Sequence, residues 1–145
     1  MKFSDYILID AINPELKATD KEGVIREMVQ SLVDAGGIEQ EHYEEIVKAF
    51  IKREELGSTG WERGIAFPET KHPSVKRLVV AFGISAEGID FGSPDGEKVQ
   101  LFILVITPYP DESAGFLRVI EHLTRRLKDD TLCRSLLPWR EKLSS

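Results

Sequence analysis

A single cysteine, Cys133, leaves no disulfide framework and no multi-thiol metal site. Such sparing cysteine use fits a reducing, cytoplasmic setting. Long hydrophobic runs are missing as well. The longest, Leu101–Ile106, is far too short to cross a bilayer, so no direct membrane insertion is expected. The N-terminal MKFSDYILIDAI carries Asp5 and Asp10 where a signal peptide needs a clean apolar run. Positive charge is not in excess: the formal net charge is −6, so no global field gathers nucleic acid and no such partner is expected. The basic pair Arg125-Arg126 is soon followed by Asp129-Asp130, which reads as helix-end charge placement. Repeats and low-complexity tracts are also absent. An ordinary balance of 41% apolar and 30% charged residues excludes a disordered chain. The 145 residues suffice for one domain, 1–145, with a proper core.

What is present is a change of hydrophobic period along the chain. Tyr6–Ile9 is a short β-prone run, an edge strand or arm. Thr19 and Glu22 have the spacing of a capping box, and Val24/Ile25, Met28/Val29 and Leu32/Val33 recur at helical spacing until Gly36-Gly37. A second helix is expected from about Gln40 to Glu54-Glu55, with Tyr43, Ile46/Val47 and Phe50/Ile51 buried. Then the period shortens. Ile65–Phe67, Leu78–Ile84 and Val99–Ile106 are β-branched and apolar, and Ile89 with Phe91 suggests a short extra strand. Turn signals lie between them at Pro73-Ser74, Ala86-Glu87-Gly88 and Ser93-Pro94-Asp95-Gly96. Near-continuous apolarity at 78–84 and 101–106 predicts central strands covered on both faces. Helical spacing returns at Phe116/Leu117, Ile120, Leu123 and Leu127, and a last short helix carries Leu132, Leu136 and Trp139. The expected fold is α/β: a single-domain layered sandwich with a mixed central sheet and helices on both faces.

Three segments are candidates to meet at one sheet edge: Arg53–Gly60 at a helix end, Pro68–Pro73 at a strand end, and the helix start after Pro110. Arg53, Ser58, Thr59 and free helix N–H groups would together suit a phosphoryl group or another anion. The bland alternative pairs Arg53 with Glu54, Glu55 or the helix dipole and uses Ser58 and Thr59 in turns. His72 has the chemistry for acid–base or phosphoryl-accepting work. Between Lys71 and Pro73 it reads more simply as a surface-loop imidazole, and with no His or Asp partner at ligand spacing no metal site is expected. His42 and His122 read as partly exposed helix residues, Cys133 as helix packing, and Trp61 as a pocket shield or a core cap.

Taken in order, "RE", "GSTG", "GIAFP", Gly-Ile-Asp-Phe-Gly, an apolar strand ending in Pro and an amphipathic helix resemble a known family over nearly the whole length. That family is enzyme IIA of the phosphoenolpyruvate-dependent sugar phosphotransferase system, in its fructose/mannitol class with nitrogen-regulatory relatives. The resemblance implies a cytoplasmic α/β domain that needs no cofactor. It implies a phosphoryl group received from the histidine of HPr or a relative and passed to a cysteine on a IIB domain. In some members the phosphorylation state instead regulates another protein. The acceptor histidine of the family directly follows the proline of its Gly-Ile-Ala-x-Pro motif, a position held here by Glu69. A second histidine before the apolar run of the later helix corresponds to Phe116, while Arg53, Ser58 and Thr59 match. Scaffold and anion-friendly rim are retained on this alignment, and both imidazoles are replaced.

Three readings follow. In the first, the domain has lost ordinary phosphotransfer and binds or regulates, with Glu69 a fixed charge beside Arg53 that partly imitates a phosphoryl group. In the second, it remains an active phosphocarrier that uses the displaced His72, although Pro73 stiffens that segment. The third makes Glu69 the general base of an unrelated activity, which a neighbouring guanidinium works against.

Overall fold

The longest apolar run of the sequence builds the strand on which the sheet is assembled. The computed structural model of the chain describes residues 7–60, 64–75 and 79–108. Its elements are β1 (Ile7–Asn13), α1 (Lys21–Asp34), a 3-10 turn (Gln40–His42) leading into α2 (Tyr43–Leu56), β2 (Ile65–Ala66), β3 (Glu69–His72), β4 (Val79–Ile89) and β5 (Val99–Pro108). The sheet order is β1-β4-β5, with both β2 and β3 on the far side of β5. β4 and β5 pair antiparallel, while β1 on β4 and β2 and β3 on β5 are parallel, so the sheet is mixed as expected.

Burial on both faces explains the unbroken apolarity of β5. Phe102, Leu104 and Ile106 join Ala81 of β4 and the stripes of α1 and α2 in one core cluster. Leu101, Ile103 and Val105 point the other way and are equally buried. α1 contributes Val24, Ile25, Met28, Val29 and Leu32 to the core, and α2 contributes Ile46, Val47 and Phe50. The helices expected at 116–127 and 132–139, with His122 and Cys133, lie outside the described residues.

Three local expectations are corrected. The N-cap of α1 is Asp20, whose carboxylate accepts from Gly23 N at 2.8 Å, rather than Thr19 of a capping box. Ala86-Glu87-Gly88 is not a turn between strands: β4 runs through it to Ile89, and the register shift between Ile84 and Ile89 marks a bulge. Gly88 accommodates that bulge with a left-handed φ of +83°. The third correction concerns Pro68. The strand does not stop there but is interrupted, and β3 resumes in the same register. Ile65 pairs with Leu101, Ala66 with Phe102, and Glu69 with Val105. Proline has no N–H to donate. Pro68 O still accepts from Val105 N at 2.9 Å, while Phe67 N, on the outer edge of the strand, donates to Thr59 O at 3.0 Å beside an antiparallel Gly60–Ala66 bridge. The Ser58–Gly60 loop therefore pairs along the outer edge of β2.

α2 lies antiparallel along β3, so the two ends of this short strand meet opposite ends of the helix: Glu69 meets Arg53, and His72 meets Glu45. Arg26 of α1 bridges Glu22 and Glu44 and thereby ties the two helices together, holding the Glu44 carboxyl below its ordinary range.

Phe50 is fully buried, whereas Leu56, six residues further along α2, is 83% exposed. Phe50→Ala is expected to cost about 3–5 kcal/mol in urea unfolding, and Leu56→Ala to stay within about 0.5 kcal/mol of native. Equal effects of the two would contradict this packing.

Candidate functional site

Arg53 occupies the last turn of α2, where a cation complements the carbonyl end of the helix. Its Nη1 donates to Gly57 O at 2.8 Å, which ties the residue just beyond the helix back onto its last turn. Its Nε donates to Glu69 Oε1 at 2.6 Å. The carboxylate partner is thus neither Glu54 nor Glu55 but the first residue of β3. The two side chains are 34% and 27% exposed. An ion pair so open to water is worth on the order of 1 kcal/mol. Its consequence is the placing of charge: a carboxylate sits against the cation at the helix end.

Glu54 faces the other way. Its side chain is buried, and a buried carboxylate persists only when paired and hydrogen-bonded. Oε1 accepts from Thr59 N at 3.2 Å and from Lys21 Nζ at 3.1 Å, and Oε2 accepts from the Thr59 hydroxyl. The same ammonium lies 4.5 Å from the centroid of the Phe91 ring, a cation–π contact. Phe91 in turn packs edge-on against Phe102 of β5, centroids 5.2 Å apart.

The Ser58 hydroxyl donates to Phe91 O and accepts from Gly60 N at 2.9 Å. A Cβ at Gly60 would run into Ser93 Oγ, so any larger residue there requires the Ser93 side chain to move. Residues 57–60 are therefore clamped between the end of α2 and the segment Asp90–Ser93. Both hydroxyl protons of the expected anion rim go to acceptors within the protein, and Thr59 is buried. Arg53 is the rim cation that meets a carboxylate from β3.

His72 corrects the sequence reading. It is buried in β3 and not a surface-loop side chain. Nδ1 lies 2.7 Å from Ser74 Oγ and accepts from Ser74 N at 3.1 Å. Nε2 lies 2.9 Å from Glu45 Oε1, an ion-pair distance, but the approach is not aligned as a hydrogen bond, and among the described residues this buried nitrogen has no well-formed hydrogen-bond partner. Partners at ligand distance do exist, contrary to the expectation from spacing. They are His42 and Glu45, brought from the start of α2. Phe116, Trp61 and the helix start after Pro110 lie outside the described residues.

Glu54, Lys21 and Phe91 were missed as site residues. The available signal was a carboxylate five residues before a hydroxyl across a helix end; nothing in the pattern singled out Lys21.

Residues 5–142 match the family model of the phosphoenolpyruvate-dependent sugar phosphotransferase system, EIIA 2. The chain belongs to the EIIA type-2 family. A "Nitrogen regulatory protein" of Bradyrhizobium diazoefficiens is 28% identical over 138 residues, 94% of this chain and 86% of that protein. A "PTS system fructose-specific EIIA component" of Haloferax volcanii is 31% identical over 132 residues, 89% of this chain and 82% of the relative. Among solved structures, the IIA mannitol domain of Escherichia coli, in its complex with phosphorylated IIB mannitol, superposes with a TM-score of 0.66 at 29% identity. That match covers 83% of this chain and 81% of the other. The EIIA fold expected from the sequence is the fold observed. No helix among the described residues is long and apolar enough to cross a membrane.

Glu54→Ala is expected to destabilise by about 2–4 kcal/mol, because it strands the buried Thr59 groups and removes the partner of a partly exposed lysine. Glu54→Gln, which keeps an acceptor oxygen, is expected to lose about half as much. Urea denaturation measures both, and a change within about 0.5 kcal/mol for Glu54→Ala would contradict the clamp.

Proposed function

We propose that this EIIA domain, residues 1–145 acting as one unit in the cytoplasm, has lost ordinary histidine phosphotransfer and serves as a binding or regulatory module. Glu69, at the family's acceptor position, is its standing negative charge. The observation that carries this reading is the 2.6 Å contact between Arg53 Nε and Glu69 Oε1. An imidazole at that position would be a nucleophile for phosphorus, and its phosphoramidate would still transfer the group. A carboxylate paired with guanidinium instead supplies a permanent anion where the phosphorylated family members gain one. The imitation is partial, with one charge in place of nearly two and fewer acceptor oxygens. Phe116, at the second-histidine position, removes the imidazole that would orient the first.

The partner class follows from the family. The IIA mannitol relative forms a complex with phosphorylated IIB. For this chain the corresponding surface is the rim around Arg53 and Glu69, beside the exposed Leu56. A IIB-like domain, an HPr-like phosphocarrier or a regulated protein would dock there without receiving a phosphoryl group. The alternative, a working carrier that uses His72, draws less support from its position. His72 is buried at the other end of β3, about 10 Å from Glu69 along the strand, and faces Glu45.

Radiolabelled phosphoenolpyruvate, enzyme I and HPr test the proposal, with a functional EIIA domain labelled in parallel. The expected result is no acid-labile label on the native chain or on His72→Ala. Native labelling would contradict the proposal, and its disappearance in His72→Ala would identify the displaced acceptor.

A further inference from the structure

The sheet and α2 bring together three side chains that the phosphotransfer site does not use. His42 closes the 3-10 turn before α2, Glu45 stands three residues on and so on the same helical face, and His72 ends β3. One ligand atom from each lies within 4.8 Å of the others. The two imidazole centroids are 5.6 Å apart and tilted by 56°, so the rings are neighbours without lying face to face. The buried Nε2 of His72, directed at Glu45 but without a well-formed hydrogen bond, is a costly feature for a core to retain.

We infer that His42, Glu45 and His72 form a binding site for a first-row divalent transition ion of the zinc class. Two imidazoles and one carboxylate suit zinc, cobalt or nickel, whereas magnesium and calcium prefer all-oxygen sites. Zinc–nitrogen and zinc–oxygen bonds of about 2.0–2.2 Å set tetrahedral donors about 3.4 Å apart, so donor gaps of up to 4.8 Å close while the 2.9 Å His72–Glu45 contact opens slightly. Glu45 and His42 are free to supply that movement, since their side chains are 68% and 31% exposed, while His72 is held in the core. The open side beyond Glu45 leaves room for water at a fourth position. His72 is supported from behind. When Nε2 binds the ion, the ring proton resides on Nδ1 and is donated to Ser74 Oγ, now 2.7 Å away. The Ser74 N bond to Nδ1, at 3.1 Å, is given up in exchange.

The ion would pin the end of β3 to the start of α2, at the opposite end of the helix from Arg53 and Glu69. It would also occupy the nitrogen that a displaced phosphoacceptor needs, so metal loading and phosphorylation of His72 Nε2 exclude one another. The inference does not depend on the fate of phosphotransfer at Glu69.

The test uses the full chain in a Cys133→Ser background, which removes the sequence's only thiol, stripped of metal and titrated with zinc and then cobalt. The expected result is one equivalent bound, a rise in Tm, and a cobalt visible spectrum of low coordination number. His42→Ala and Glu45→Gln, both outside the buried core, should each weaken zinc at least tenfold, and His72→Ala likewise if it folds. Glu41, whose Oε1 lies 3.7 Å from His42 Nε2, is the other carboxylate near that imidazole, and Glu41→Gln should leave the affinity unchanged. Absence of binding at one equivalent would overturn the inference. So would affinity that survives His42→Ala and Glu45→Gln, or that is lost in Glu41→Gln alone, because the ion would then lie elsewhere.

Discussion

Everything at the candidate site hangs on β5. Its side chains are buried on both faces from Leu101 to Thr107, which fixes the strand in the middle of the molecule and leaves its register no freedom to slip. β2 and β3 attach to its far edge in one register, interrupted only at Phe67-Pro68. That interruption has two effects. It leaves β5 without one donor where Pro68 lacks its N–H, and it starts β3 at Glu69, opposite Val105; on the outer edge, Phe67 N donates to Thr59 O. The carboxylate is therefore carried by a strand that the core positions, and it meets a guanidinium carried by a helix packed on that same core.

Two carboxylates close to Arg53, Glu54 next to it on α2 and Glu69 across from it on β3, behave differently for reasons of environment. Glu54 is buried and fully engaged by Thr59 and Lys21, so it holds the loop. Glu69 is partly exposed and shares one oxygen with Arg53, so it presents charge at the rim. The hydroxyls between them, Ser58 and Thr59, stabilise the loop through acceptors within the protein. Among the described residues, this division leaves the Arg53–Glu69 ion pair as the charge presented at the rim.

The sequence made the helices and the two long strands legible because their apolar periods are strong and their ends are marked, as by Gly36-Gly37 after α1. It also carried the family resemblance, since "RE", "GSTG", "GIAFP" and Gly-Ile-Asp-Phe-Gly are spaced as the folded loops require. What it hid depends on contacts between distant segments. Thr19 and Asp20 are equally good caps by residue type, and only the backbone conformation decides between them. Pro68 reads as a strand end, yet the register of β5 carries the chain past it. His72 reads as a loop residue because its neighbours, Lys71 and Pro73, are typical of the surface. Its burial comes from α2, some thirty residues away in sequence.

The central claim is that the Glu69 carboxylate occupies the place an anion would take at Arg53. The most direct measurement is a titration with inorganic phosphate followed by amide NMR shifts at Arg53 and Gly57–Gly60, in the native chain and in Glu69→Ala. The account predicts that the native rim ignores millimolar phosphate, while Glu69→Ala gains saturable shifts at these positions. Native shifts as large as those of the variant, or a variant rim that stays silent, would contradict it.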